Sequence, residues 1–306
     1  MRSEIRTGDD NRVDDLIMIN PDTIGIGDEG CYYRLPAVEK ALAVKQKIER
    51  AGIRFRLITP KIFQNHFDEV IYLIRRLSES GKNYHLTVND LGLLHICREK
   101  GILPDYVTLG RGMTRSFMEC PWYENLLRDE EEELQRTIIQ NYMAHKVKLD
   151  FFNQYGVNAI EANMVNEQED AYGNIVDNGW KVNVHYGYMT VSVARICQTA
   201  KYHRINPPDC FEKCSERLTL QMTQIHTKRT NFKISEEAGK RVPDFILKGN
   251  ILYRENPLKL SDFNMTNVDT LILSDVQYPV FEELCKAYGK IQEVIKREQA
   301  ENQGAG

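Results

Sequence analysis

Residues 84–112, YHLTVNDLGLLHICREKGILPDYVTLGRG, contain one full period of the rhythm that sets the fold. Tyr84 to Val88 reads as a strand. Asn89-Asp90 breaks it, and Leu91 to Lys100 carries apolar residues at helical spacing. Gly101 and Pro104 stop that helix, Asp105 to Leu109 is a second strand, and Gly110-Arg111-Gly112 opens the next loop. Strand, polar loop, helix, strand is the parallel βα unit.

The same unit recurs on either side. Upstream, Leu16 to Asn20 and Thr23 to Asp28 are short apolar runs, Pro36 opens a helix that lasts to Gly52, Ile53 to Thr59 is a strand, and Phe67 to Ser80 is a helix. Downstream, Lys146 to Tyr155 is helical. Val157 to Glu161, Trp180 to His185 and Val268 to Leu273 are strands, and Val280 to Arg297 is a closing helix. Arg128 to Gln140 is a solvated helix face, and Asp170 to Gly179 a turn-rich surface loop. Seven or eight strands of this kind predict an α/β, TIM-barrel-like (β/α) barrel, with a doubly wound open sheet as the alternative. The expected layout is a flexible N-terminus over 1–15, one barrel domain with an iron–sulfur loop over 16–297, and a flexible tail over 298–306.

The chain has 306 residues, net charge −4 and pI near 6.0, so no global basic field advertises nucleic acid. No apolar run approaches the roughly 20 residues of a membrane helix. The polar start of the chain lacks a secretory stretch, so a cytoplasmic protein is expected. In that compartment seven cysteines point to metal or chemistry and not to a disulfide framework.

Three of the seven lie in ARICQTAKYHRINPPDCFEKC, residues 194–214, with twelve residues between Cys197 and Cys210 and three between Cys210 and Cys214. Thiolates converging from a Pro-stiffened loop suit a soft metal, and Cys31, in a loop after a predicted strand, is the natural fourth ligand. Cys120 is a weaker fourth candidate. Cys97 and Cys285 sit on helix faces and read as structural. Spacing alone leaves a four-cysteine zinc site and an iron–sulfur cluster both open.

The same residues resemble the collagenase-like peptidase family. Ala194-Arg195-Ile196-Cys197-Gln198-Thr199-Ala200-Lys201 is similar to its S-A-R-C-F-T-A-R signature, with Ile196 inserted and Lys201 replacing an arginine. The signature follows a histidine-containing Tyr-Gly strand end in that family, as it follows His185-Tyr186-Gly187 here. The twelve- and three-residue cysteine gaps match. Gly27-Asp28-Glu29-Gly30-Cys31-Tyr32-Tyr33-Arg34 resembles the family's G-E-x-x-C-x-x-R loop. Asn89-Asp90 and Leu109-Gly110-Arg111 match its N-D-x-G and L-G-R elements. The resemblance runs from about Thr23 to about Ser274. It implies a 4Fe–4S cluster on Cys31, Cys197, Cys210 and Cys214, and oxygen-independent hydroxylation with prephenate as oxygen donor. It also implies a heterodimer with a related family member. No protease constellation supports the older peptidase label.

In an α/β barrel, functional residues follow strand C-termini. Arg111 is therefore a candidate clamp for a carboxylate donor. Glu161 and His185 are candidate acid/base groups. Asn89 could orient a substrate, and Asp90 could do so or cap the following helix. Arg195 could donate to cluster sulfides, and Tyr186 could stack on a bound aromatic. Besides a small-molecule hydroxylase, the pattern admits a non-catalytic, cluster-stabilised partner subunit. It also admits a zinc-stabilised binding protein whose Lys228-Arg229 and Lys240-Arg241 pairs touch RNA. The compact three-cysteine motif of radical S-adenosylmethionine enzymes is absent.

Overall fold

The structure, a computed structural model, describes residues 1–116, 127, 129–210, 213–214, 216–220 and 244–304. The chain opens with β1 (Arg2–Thr7), α1 (Val13–Ile19), β2 (Thr23–Gly27), α2 (Val38–Arg50), β3 (Arg54–Thr59) and α3 (Phe67–Glu79). It continues through β4 (His85–Val88), α4 (Leu91–Glu99), β5 (Tyr106–Leu109), α5 (Glu132–Ile139), α6 (Lys146–Asn153), β6 (Val157–Asn163), α7 (Glu169–Asp177) and β7 (Lys181–His185). An insertion comes next: β8 (Tyr188–Val193), α8 (Gln198–His203), β9 (Leu218–Leu220), β10 (Phe245–Lys248) and β11 (Ile251–Glu255). The chain then returns to the barrel with β12 (Thr270–Ser274) and ends in α9 (Phe281–Gly304).

Among the described residues, eight parallel strands close into a barrel in the order β1-β12-β7-β6-β5-β4-β3-β2. The predicted TIM-barrel-like fold is therefore what the chain forms. Alternate strand residues such as Ile24, Phe55, Leu57, Leu86, Val107 and Ile160 belong to one apolar core shared with the helices. In α3, Val70, Ile71, Leu73, Ile74 and Leu77 supply the matching buried stripe.

The barrel interior is charged instead of aliphatic. Arg6 directs its two terminal nitrogens at Glu161, at 2.8 and 2.6 Å, and its Nε donates to Glu4 at 2.6 Å. Arg56 donates to the other oxygen of Glu4 at 2.8 Å and to Thr108 at 2.8 Å. Thr87 donates to Glu161 at 2.6 Å. Two buried guanidiniums thus meet two buried carboxylates. Such an arrangement is tolerable only because every charge is paired. Gly25 makes room, since a Cβ there would fall 2.9 Å from Arg6 Cγ and 2.7 Å from Ile58 Cδ1.

Several expectations change. The N-terminus expected to be flexible carries β1, held between β2 and β12, because Glu4 and Arg6 complete the interior network. Leu16 to Asn20 lies mostly in helix α1, whose buried residues are Val13 and Leu16. The presumed loop 170–179 is mostly α7, which buries Ala171, Tyr172 and Ile175 at helical spacing. The segment expected to be an iron–sulfur loop belongs to an insertion built on a second, four-stranded antiparallel sheet, in the order β8-β11-β10-β9. At the other end, α9 runs through Gly304, beyond the point where a flexible tail was expected. Among the described residues, no helix is long and apolar enough to cross a membrane.

Candidate metal centre

Asp28 fixes the loop after β2. One of its carboxylate oxygens accepts the N–H groups of Gly30 at 2.8 Å and Cys31 at 2.9 Å, setting Cys31 at the barrel's C-terminal rim. Cys197 is the N-cap of α8, and its sulfur accepts the Ala200 N–H at 3.3 Å. Cys210 and Cys214 lie beyond α8 and are buried. The Cys214 sulfur lies 3.9 Å from the Cys210 carbonyl oxygen.

One turn joins these loops. Gly249 and Asn250 link β10 to β11, with positive φ at Gly249 only, as a type II′ hairpin turn requires. The Asn250 amide donates to the Gly30 carbonyl and, at 2.6 Å, to the Ala194 carbonyl. Its own carbonyl accepts the Ala194 N–H at 2.9 Å, and the Gly249 carbonyl accepts the Thr199 N–H at 3.0 Å. The Cys31 and Cys197 loops are thereby stitched to each other. Gly30 permits this approach, because a Cβ there would lie 2.5 Å from Ile251 Cγ1.

The four thiols share one locus. The Cys214 thiol hydrogen-bonds to Cys197, which lowers the Cys197 thiol to about 6 against the opposing effect of burial. The same shared proton, and burial after it, raises Cys214. Burial, reinforced by Asp28, pushes Cys31 up to about 12, and burial raises Cys210 beside Cys197. All four are free thiols. Among the described residues, no three His, Cys, Asp or Glu side chains are arranged around a metal ion as they stand. A tetrahedral zinc draws its sulfurs in to about 2.3 Å from one atom. Four thiols are also the donor set that an iron–sulfur cluster takes. Cys97 is buried in the α4 face and Cys285 is half-buried in α9, as expected of structural cysteines. Cys120 lies outside the described residues.

Two cavities flank the thiols. The larger, about 640 Å³, reaches Cys31, Cys197 and Cys210. Lys61, Arg195, Lys201 and Arg204 also line it and, among the described residues, no carboxylate does. Burial and the nearby Arg115 and Arg195 lower the Lys61 ammonium. Tyr32 stacks on His66 with centroids 4.0 Å apart, and Tyr33 meets the same ring edge-on at 5.6 Å. The smaller cavity, about 230 Å³, reaches Cys31 and Cys214 from the other side and is lined by Arg12, Arg34, Lys248, Asp9, Asp28 and Asp275.

The remaining candidates divide differently. Arg195 stands in the large cavity beside Cys197 and is exposed. Arg111 is 3% exposed and forks onto Glu29, with Nε at 3.2 Å. Its remaining nitrogen donates to Asn163 at 3.0 Å and to the Tyr188 carbonyl at 3.0 Å. The carboxylate it clamps is the chain's own. The Arg111 guanidinium counters burial and lowers the Glu29 carboxyl. Glu161 is fully buried and, with Arg6 and His185 against it, stays ionised well below the usual carboxylate range. His185 Nε2 lies 3.0 Å from Glu161, while burial and Arg111 push the imidazole down to about 4. The neutral ring therefore donates from Nε2, and Nδ1 has no hydrogen-bond partner among the described residues. Asn89 donates to the Thr59 carbonyl at 2.9 Å and accepts the Gly112 N–H at 3.0 Å. Asp90 caps α4 through the Leu93 N–H at 3.1 Å. None of these five lines either cysteine cavity. Tyr186 faces a separate groove between β8 and α9, so it does not reach the thiols.

Lys61 and Asn250 were not singled out from the sequence, and Glu29 and Arg34 only as members of the Gly27–Arg34 loop. For Asn250 a signal existed: FILKGNILYRE, residues 245–255, is two apolar runs around a Gly-Asn pair, the signature of a hairpin.

No protein-family model matches the chain, and no curated protein matches it. Among solved structures it is similar to the U32 peptidase Mk0906, at 10% identity and a TM-score of 0.45, with 90% of this chain and 92% of that chain covered. The barrel and the cysteine junction stand on their own geometry.

Proposed function

We propose that the chain holds a 4Fe–4S cluster on Cys31, Cys197, Cys210 and Cys214. We further propose that it acts as an oxygen-independent hydroxylase, or as the cluster-bearing subunit of one, with prephenate as oxygen donor. Its motifs resemble the collagenase-like peptidase family, and within it the anaerobic ubiquinone-biosynthesis protein UbiV. The observation that carries the reading is the cavity of about 640 Å³ with three of the four thiols in its wall. Prephenate is a dicarboxylate built on a ring. Four cations without a carboxylate suit its charges, and the Tyr32–His66 stack offers an apolar edge to its ring. Lys61 and Arg195 would hold the carboxylates. A bound cluster supplies one-electron chemistry that no side chain here provides.

The test is anaerobic binding of prephenate to the iron-loaded protein. Wild type is expected to bind, and Lys61→Gln with Arg195→Gln to bind at least tenfold more weakly, a loss of about 1.4 kcal/mol. Equal affinity in the double variant contradicts the reading.

A second reading, a non-catalytic partner subunit in a heterodimer, is favoured by one observation. Arg111, Glu161 and His185 are bound to the chain's own groups and buried away from the cavities. Turnover of prephenate by the isolated chain removes that reading. The basic pairs motivating an RNA-binding zinc protein, Lys228-Arg229 and Lys240-Arg241, lie outside the described residues.

A further inference from the structure

The smaller cavity contains a guanidinium that no carboxylate holds by a hydrogen bond among the described residues. Arg34 lies beyond Cys31 by one 3-10 turn, Tyr32–Arg34. Its side chain lines the cavity of about 230 Å³ together with Cys31, Cys214, Asp28 and Asp275. It is half-buried, and among the described residues its guanidinium makes no hydrogen bond, unlike its neighbours. Arg12 is paired with Asp275 at 3.1 Å, Lys248 donates to the Val276 carbonyl, and Asp28 is occupied by backbone N–H groups. Gly8 shapes the seat: a Cβ there would lie 2.9 Å from Arg34 Nη1 and 3.0 Å from its Cδ. Asp28 and Asp275, and the Cys214 and Cys31 sulfurs, act on the Arg34 charge through space and not by hydrogen bonds among the described residues.

We infer that Arg34, seated by Gly8, is the cation that faces the four-cysteine cluster and sets its reduction potential. This rests on the cluster reading above. Four thiolates make the cluster a net anion, and reduction adds a further negative charge. A guanidinium held beside two of the four ligands stabilises the reduced form more than the oxidised form, so it raises the potential. Sequence position alone favoured Arg195 for this role. Arg195 is exposed at the large cavity, where solvent screens it and a substrate anion can occupy it.

The experiment is a redox titration, by electron paramagnetic resonance, of anaerobically reconstituted full-length chain. It compares wild type with Arg34→Gln, Arg34→Lys, Gly8→Ala and Arg195→Gln, with iron and sulfide measured on each. Arg34→Gln should keep its iron and be at least tenfold harder to reduce, which is about 59 mV for one electron. Gly8→Ala, which displaces the guanidinium without removing it, should shift the potential part of that way. Arg34→Lys and Arg195→Gln should stay near wild type. Wild-type potential in iron-loaded Arg34→Gln overturns the inference and leaves the cluster standing. If Arg34→Gln sheds its iron, Arg34→Lys decides. A retained cluster at near wild-type potential supports a charge role, and loss there too overturns it. A wild type that takes up no iron overturns the cluster reading itself.

Discussion

Gly30 and Asn250 show how the site depends on single atoms. The Asn250 amide reaches two carbonyls only because residue 30 has no Cβ to obstruct it. Gly30→Ala should therefore leave the barrel folded but lower iron retention, and Asn250→Ala should do the same. Circular dichroism alongside iron analysis checks this; full iron in both variants contradicts it. Three of the four cysteines drew notice by their spacing and Cys31 by its place after a strand, and the structure brings all four to one junction. Their suture was not legible, because a Gly-Asn turn looks the same whether or not it touches a site. His185 has a different signature. Its imidazole falls to about 4 when folded, against about 6.5 when unfolded. The unfolded chain thus binds more protons between those values, and stability is lost as pH falls through that window. The buried Glu161 carboxylate, depressed further, adds to the loss at lower pH. One imidazole contributes a slope of up to ~1.4 kcal/mol per pH unit. His185→Gln should flatten the stability profile between about pH 4 and 6.5, measured by urea unfolding across pH.

At the scale of elements, the strand ends were legible in the sequence, but the purpose of the loop residues just beyond them was not. Arg111 was expected to clamp a carboxylate donor, and instead it holds the chain's own Glu29, from the loop after β2. With Asn163 and the Tyr188 carbonyl, the pair locks that loop to the ends of β5, β6 and β8. A single sequence cannot show that the ligand of a strand-end arginine is internal, because Glu29 is 82 residues away. Arg111→Met should cost about 3–5 kcal/mol in denaturant unfolding, since it strands a buried carboxylate, and Glu29→Leu added to it should recover much of that loss. An unchanged midpoint in the single variant contradicts the latch. Asp90 took the helix-capping role that its position before LGLLHIC suggests, and Asp90→Ala should cost roughly 0.5–2 kcal/mol. Segment 169–177 escaped notice as a helix because its Gly173 and flanking Asn and Asp residues mimic a turn, while three buried residues decide otherwise.

Over the whole molecule, the parallel βα rhythm was enough to give a closed barrel. What it concealed was where the barrel begins and what fills it. Arg2–Thr7 carries charges at alternate positions and so looks like a solvated terminus. Those charges pair with Glu161 and Arg56 from strands far along the chain. Deleting residues 1–15 should therefore abolish folding, not trim a tail. A cooperative unfolding transition in the truncated chain contradicts this. The insertion between β7 and β12 was hidden for a related reason: its sheet is short, antiparallel and interrupted by the cysteine segment. It carries three of the four thiols and delivers them to the fourth on the barrel rim.

The most direct test of this account is iron, sulfide and zinc analysis with an absorption spectrum on anaerobically purified protein. It should be run on wild type and on Cys31→Ala, Cys197→Ala, Cys210→Ala and Cys214→Ala. About four irons and four sulfides per chain, lost in every one of the four variants, is the predicted result. Zinc in place of iron, or no metal after reconstitution, contradicts it.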